Sequence, residues 1–83
     1  MQTEITFRPL SEIARTALND PELKGLTREY ALPYLSALMS CEVKTDQYLE
    51  ESAGSLISYA LGNLTNYRGQ TARQVKTELR AHL

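Results

Sequence analysis

The stretch Asp46–Gly69 reads DQYLEESAGSLISYALGNLTNYRG and dominates the fold predicted for this 83-residue chain. Its apolar residues recur at intervals of three and four, which places them on one face of an α-helix. Those positions are Leu49, Ala53, Leu56, Ile57, Ala60, Leu61 and Leu64. Acidic residues at the start suit the helix dipole, and Gly69 is free to adopt a positive φ at the end. The sequence therefore predicts one long central helix over about residues 46–67.

A line of small residues runs along another face of the same predicted helix. Gly54, Ser58 and Gly62 are spaced four apart, and side chains this small allow a second helix to approach closely. We expect another helix of the same chain to pack there, and a homodimer through this face is the alternative. On the intramolecular interpretation, replacing Gly54 or Gly62 with leucine costs about 1–3 kcal/mol by overpacking the contact.

A first helix is predicted upstream of this stretch. Pro9 is tolerated in a first helical turn, and Asp20-Pro21 ends the helix because the residue before proline avoids the helical region. Its apolar face comprises Leu10, Ile13, Ala14, Ala17 and Leu18. Met1–Arg8 is predicted to be coil, with Ile5 and Phe7 against the core.

A second helix is predicted from Arg28 to about Ser40. Thr27 is its expected N-cap, and Gly25 is expected to end a short turn before it. Pro33 lies inside this helix, where it removes a backbone hydrogen bond and is expected to bend the helix or delay its start.

The last predicted helix runs from about Ala72 to Ala81. Thr71 and Gln74 fit the capping-box pattern at its start, and Ala72, Val75 and Leu79 form its apolar face. The complete prediction is an all-α fold in one domain, residues 1–83. Three to four helices form a compact small bundle around the central helix, and the last helix folds back antiparallel beside it.

Charge is unevenly distributed along the chain. Residues 1–66 carry five Lys or Arg against nine Asp or Glu, a net charge of −4, whereas residues 67–83 carry four against one, a net charge of +3. Arg73, Lys76 and Arg80 follow helical spacing, so they form one line on the last helix, and Arg68 precedes it. This line predicts contact with an acidic partner or with phosphates; the alternative is a solvated face.

The candidate partner-binding residues are therefore Tyr67, Arg68, Arg73, Lys76 and Arg80. Tyr67 joins the four cations because tyrosine is enriched in protein interfaces and this one sits at the helix corner. The other interpretation of all five tyrosines places them at the edge of the core with their hydroxyl groups in water.

The sequence offers little for catalysis or metal binding. His82 is the single histidine and lies in a chain end that is expected to fray, and Cys41 is the single cysteine, expected to be a small buried hydrophobe. One histidine and one cysteine cannot build a zinc site. We therefore expect no enzyme, no catalytic residues, no metal and no cofactor. The lack of a signal peptide or an apolar membrane span, with one free cysteine, predicts a cytoplasmic protein.

Most of the chain resembles a group of small uncharacterised proteins from phages, prophages and other mobile elements. The resemblance rests on PYLSALMS at residues 33–40, on the segment from Asp46 onward, and on FRPLSEI at residues 7–13. The group has tryptophan before Arg-Gly where this chain has Tyr67, and Asp-Ser where this chain has Glu51-Ser52. The resemblance implies a mobile-element setting, in which small host-directed binders and inhibitors are common, and transfers no activity.

The function predicted from these observations is a small non-enzymatic binding protein that masks or inhibits a host macromolecule through protein–protein interaction. The alternative is a nucleic-acid-binding module that uses the basic C-terminal helix. The two differ in their test, because phosphate binding weakens steeply with salt and with removal of the basic side chains.

Overall fold

The computed structural model describes residues 8–83, which form a mostly helical fold. Its helices are α1 (Leu10–Leu18), α2 (Gly25–Leu38), α3 (Ala53–Asn63) and α4 (Gln70–Ala81). A short antiparallel hairpin of β1 (Gln47–Tyr48) and β2 (Glu51–Ser52) joins α2 to α3. The predicted all-α fold is confirmed as a mostly helical, compact one, to which the hairpin adds two short strands that the prediction lacks. The expectation for Ile5 and Phe7 lies outside the described residues.

The core is built from one apolar face of each helix. The faces predicted for α1 and α4 are confirmed, because Leu10, Ile13, Ala14 and Ala17 of α1 and Ala72, Val75 and Leu79 of α4 are all buried. Helix α1 packs against both α2 and α4, and α2 packs against α3. The last helix does contact α3, as expected, but it packs more extensively on α1.

The long helix predicted over about residues 46–67 is wrong, because the helix in this stretch runs only from Ala53 to Asn63. Turn chemistry at Asp46 overrides the helical pattern before it. The Asp46 carboxylate accepts the backbone N–H groups of Glu42 at 2.7 Å and Val43 at 3.1 Å, and the Asp46 carbonyl accepts the N–H of Ala53 at 2.7 Å. The bond from Ala53 brings the two ends of the 46–53 segment together, and the residues between form a hairpin.

Helix α3 starts where a serine can cap it. The Ser52 side chain accepts the backbone N–H of Ser55 at 3.2 Å, which satisfies one of the free donors of the first turn. Leu49, assigned above to the apolar face of the long helix, instead lies in the hairpin turn with φ 59° and is 83% exposed. A leucine at positive φ is strained, so the surrounding hydrogen bonds hold the turn in place.

The start of α2 also differs from the prediction. The helix begins at Gly25, whose φ of 64° suits glycine, and its N-cap is Lys24 rather than Thr27. Pro33 lies within α2 without ending it. Pro33 has no N–H to donate, so the backbone carbonyl four residues earlier lacks its helical partner. Because Pro33 is exposed, that carbonyl can bind water instead.

Helix α4 begins two residues earlier than predicted, with Gly69 as its N-cap. Gly69 has φ 119°, a conformation that glycine adopts readily and other residues do not. No side chain caps the first turn, so the capping box predicted from Thr71 and Gln74 is wrong.

No helix of the described chain packs on the line of Gly54, Ser58 and Gly62. A Cβ atom added at Gly62 meets no heavy atom within 4 Å, and one added at Gly54 meets only the Lys44 carbonyl and the Ser52 hydroxyl at ordinary distances. Ser58 and Gly62 are exposed. The expected intramolecular helix contact is therefore wrong, and the leucine substitutions at these two glycines have no helix to displace.

Candidate functional site

The corner between α3 and α4 positions the predicted binding residues. Leu64 and Tyr67 are buried in it, and the Tyr67 hydroxyl donates a hydrogen bond of 2.7 Å to Oδ2 of Asp20 in the loop between α1 and α2. The other oxygen of that carboxylate, Oδ1, accepts the N–H of Glu22 at 3.1 Å. This contact ties the corner to a loop 47 residues away in sequence and so fixes where α4 begins.

Tyr67 does not have the environment predicted for the tyrosines. Its side chain is 1% exposed, so its hydroxyl is not in water and its ring is not an open contact surface. Burial, followed by the hydrogen bond and the negative charge of Asp20, raises the pKa of the Tyr67 hydroxyl. Tyr67 therefore serves the site by holding the corner and by forming part of its floor.

The four predicted cations come together around one depression of about 300 Å³ between this corner and α4. Arg68 reaches it from the corner, and Arg73, Lys76 and Arg80 reach it from successive turns of α4. No acidic residue is among the described residues that line it, whereas Thr65 and Thr77 are. We call this site the basic cleft, defined by Arg68, Arg73, Lys76 and Arg80.

The cations of the basic cleft are close enough to influence one another. Partial burial lowers the pKa of Lys76, and the positive charges of Arg80 and Arg68 lower it further. Like charges held together without an intervening carboxylate repel, and an anion placed among them relieves that repulsion. A bound anion is therefore expected to raise the pKa of Lys76.

The one acidic residue of α4 is engaged on another side of the helix. Glu78 accepts two hydrogen bonds from the Arg8 guanidinium, at 2.6 Å and 3.0 Å, and Arg8 also donates to Thr16 at 3.2 Å. This bidentate pair fixes the Glu78 carboxylate against the start of the described chain. Glu78 is consequently not among the residues that line the basic cleft.

The end of α4 is held more firmly than predicted. His82 is half-buried, and its Nε2 lies 2.7 Å from the backbone carbonyl oxygen of Arg8. The expectation of a frayed end at this histidine is therefore wrong. This hydrogen bond and the Arg8–Glu78 pair together hold the C-terminal part of α4 beside Arg8.

The reactive groups found elsewhere in residues 8–83 do not assemble into a second site. Cys41 is fully buried, as predicted, and burial together with Asp46 and Glu42 raises the pKa of its thiol, which disfavours the reactive thiolate. Within the described chain, no group of three or more His, Cys, Asp or Glu side chains is placed to hold a metal ion. None of its helices has the length and apolar content required to cross a bilayer.

Comparison of the chain with protein-family models, with curated proteins and with solved structures finds no match. The geometry of the basic cleft is therefore the observation from which a function can be inferred. Helical spacing predicts that Arg73, Lys76 and Arg80 lie together, and Arg68 is included because it precedes the same helix. The supporting role of Asp20 was missed, and the Asp-Pro pair indicated only a helix end.

Proposed function

We propose that this chain is a small non-enzymatic binding protein that holds an acidic surface of a protein partner in the basic cleft. The observation that supports it is the convergence of four cations on one depression whose described lining contains no carboxylate. Three of the four are arginines, which bind carboxylates through two parallel hydrogen bonds and are enriched where proteins meet. Tyr67 supports the site from below by fixing the corner.

The charge of the rest of the chain favours a protein over a long polyanion. The chain as a whole has a net charge of −1, and residues 1–66 have a net charge of −4. A nucleic acid, which extends well beyond a four-cation cleft, would also face this acidic remainder and be repelled by it. A protein with a local cluster of Asp or Glu can contact the cleft without approaching the acidic remainder of the chain.

We further propose that the partner is a host macromolecule whose surface is masked when it occupies the cleft. The resemblance to small phage and prophage proteins supports this setting. The single cysteine, a free thiol, is consistent with action in the reducing cytoplasm. Masking requires no chemistry of the bound protein, only a contact that excludes another ligand.

The proposal is tested by affinity capture from a nuclease-treated bacterial extract with three forms of the chain. These are the wild type, the double variant Arg73→Ala with Lys76→Ala, and a control double variant, Arg15→Ala with Lys24→Ala. The control removes two charges as well, but from exposed positions outside the basic cleft. A protein retained by the wild type and the control, lost from the cleft variant and released by salt is the expected result.

Two outcomes contradict the proposal. Retention of the same proteins by all three forms shows that the cleft makes no contact, and retention of none shows that no acidic partner is recognised. Circular dichroism of each variant before capture verifies that the helices are intact.

A nucleic-acid-binding function is the second candidate, and the spacing of the cations favours it. Arg73, Lys76 and Arg80 occupy successive turns of α4, so their side chains follow a line along which phosphates can be neutralised. Fluorescence anisotropy with short single-stranded and duplex oligonucleotides tests this function. It predicts an affinity whose logarithm falls linearly with the logarithm of salt concentration, with a slope of about −3 to −4 for four cations. Equal affinity of the wild type and the cleft variant rejects it.

A further inference from the structure

Charged residues are absent from two stretches of the chain that the fold places side by side. No Asp, Glu, Lys or Arg occurs in residues 30–41 or in residues 52–67, and these stretches form most of α2 and all of α3. The two helices pack against each other, and the rings of Tyr34 and Tyr59 join them with centroids 5.4 Å apart. Their exposed sides therefore form an uncharged surface. Leu26 lies before the first stretch, and the exposed Glu29, three residues from Leu26 and four from Pro33, borders the surface on α2.

This surface is apolar and aromatic where it is open to solvent. We call it the neutral face, defined by Leu26, Tyr30, Pro33 and Tyr34 of α2 and by Ser55, Tyr59 and Gly62 of α3. Leu26 is 63% exposed, Tyr30 60% and Tyr59 53%. Helix α2 buries apolar residues on one side and exposes them on this one, a pattern typical of a helix covered on both sides. A contiguous exposed patch of this kind marks an interaction site.

We infer that the neutral face is the interface of a two-fold homodimer. The surface can contact a copy of itself, because it carries an exposed tyrosine close to a glycine that has no side chain. Tyr59 stands three residues from Gly62, where a Cβ atom would meet nothing within 4 Å. In a two-fold dimer, Tyr59 of each copy can pack on the exposed backbone at Gly62 of the other copy. A two-fold interface requires such a match, because both copies use the same surface.

The size of the neutral face also suits a second copy. Helix α2 has 14 residues and α3 has 11, so they are about 21 Å and 16 Å long, and packed helix axes lie about 9 Å apart. A face of these dimensions buries at most roughly 500–700 Å² per copy, or about 1,000–1,400 Å² in total, which is below a standard stable interface but above the total of about 1,000 Å² that a specific interface needs. A chain of this size has a thin core and gains stability from such burial.

Because its defining residues carry no charge, the neutral face is expected to bind a different partner from that of the basic cleft. A charged partner finds no countercharge on the neutral face, whereas a second copy presents an equally uncharged surface and leaves no ion unpaired on contact. The inference does not depend on the proposed function, since the two surfaces share no defining residue.

Sedimentation velocity over about 5 to 500 µM protein tests the inference, a range that brackets the Kd of an interface near the lower size limit. The variant is Gly62→Glu, which places a charge on the proposed contact; the added side chain has open space in the monomer, and glutamate has a higher helix propensity than glycine. The control is Gln74→Glu, the same new charge on an exposed position of α4.

The wild type and Gln74→Glu are expected to shift from monomer to dimer as concentration rises. Gly62→Glu is expected to weaken association by about 100-fold or more, because a buried unpaired charge is strongly unfavourable. A wild type that stays monomeric throughout overturns the inference. So does a Gly62→Glu variant that associates as the wild type does, since association then uses another surface.

Discussion

The basic cleft and the neutral face are both open to solvent, and each is a candidate binding surface for a different reason. The cleft concentrates positive charge, whereas the neutral face has none. In the cleft, four cations lie together without a carboxylate among the described lining residues, so like charges face one another in the unliganded site. On the neutral face, charge is absent and apolar rings meet water. The first surface is expected to bind by countercharge and the second by burial of apolar area. This contrast makes the two separable by experiment.

Removing the Tyr67 side chain is expected to have the largest effect, because it destroys the corner on which the cleft depends. The ring is almost completely buried and its hydroxyl bonds to Asp20. Tyr67→Ala is expected to lower the free energy of unfolding by about 3–5 kcal/mol through the cavity it leaves. Urea denaturation followed by circular dichroism measures it. An exposed ring replaced in the same way, Tyr48→Ala, is the control and should cost much less; equal costs would show that the corner is not a structural centre.

Salt is expected to have the second-largest effect, and to weaken binding at the basic cleft much more than association through the neutral face. Binding of a polyglutamate peptide to the basic cleft should weaken at least about tenfold between about 50 and 200 mM salt, because exposed charges are screened. Self-association through the neutral face should change by less than about twofold, because apolar burial involves no countercharge. Anisotropy for the peptide and sedimentation for the dimer supply the two curves. Parallel salt dependence would mean that charged residues also carry the dimer contact.

Alkaline pH isolates the Tyr67 hydrogen bond. The pKa of Tyr67 is raised in the folded state, so above the ordinary tyrosine pKa of about 10 the unfolded chain loses this proton while the folded chain keeps it. The folded state then holds more protons, and stability falls as pH rises through that range. Tyr67→Phe should be less stable than the wild type at neutral pH by about 1–3 kcal/mol. The difference should shrink above about pH 10, and a constant difference would contradict the assignment.

The parts of the fold that the sequence predicted are those governed by local pattern. Helices α1 and α4 repeat apolar residues at helical spacing between Pro9 and Asp20 and between Gly69 and Ala81, and both were placed nearly correctly. The cations of the cleft were found for the same reason, since helical spacing alone brings Arg73, Lys76 and Arg80 to one side.

The parts that escaped prediction depend on bonds between distant residues or on turn chemistry. Asp46–Glu51 satisfies a helical pattern, yet the Asp46 carboxylate ties the preceding turn and Ser52 caps a helix that starts later. The partner of Tyr67 lies 47 residues away, beyond any local pattern. The small-residue line was mistaken for a packing face because sequence spacing cannot indicate whether a neighbour is present.

Gly62→Ala is expected to have the smallest effect, and it tests directly whether another part of the chain packs on the small-residue line. A methyl group at this position meets no atom within 4 Å in the monomer, and alanine favours a helix over glycine. The variant should therefore raise the free energy of unfolding by about 0.5–1 kcal/mol at low protein concentration, where the chain is monomeric. Gly69→Ala is the contrasting control, since φ 119° strains alanine and the variant should be destabilised. A loss of stability in Gly62→Ala would mean that another part of the same chain packs on the neutral face, and the surface would then not be free for a second copy.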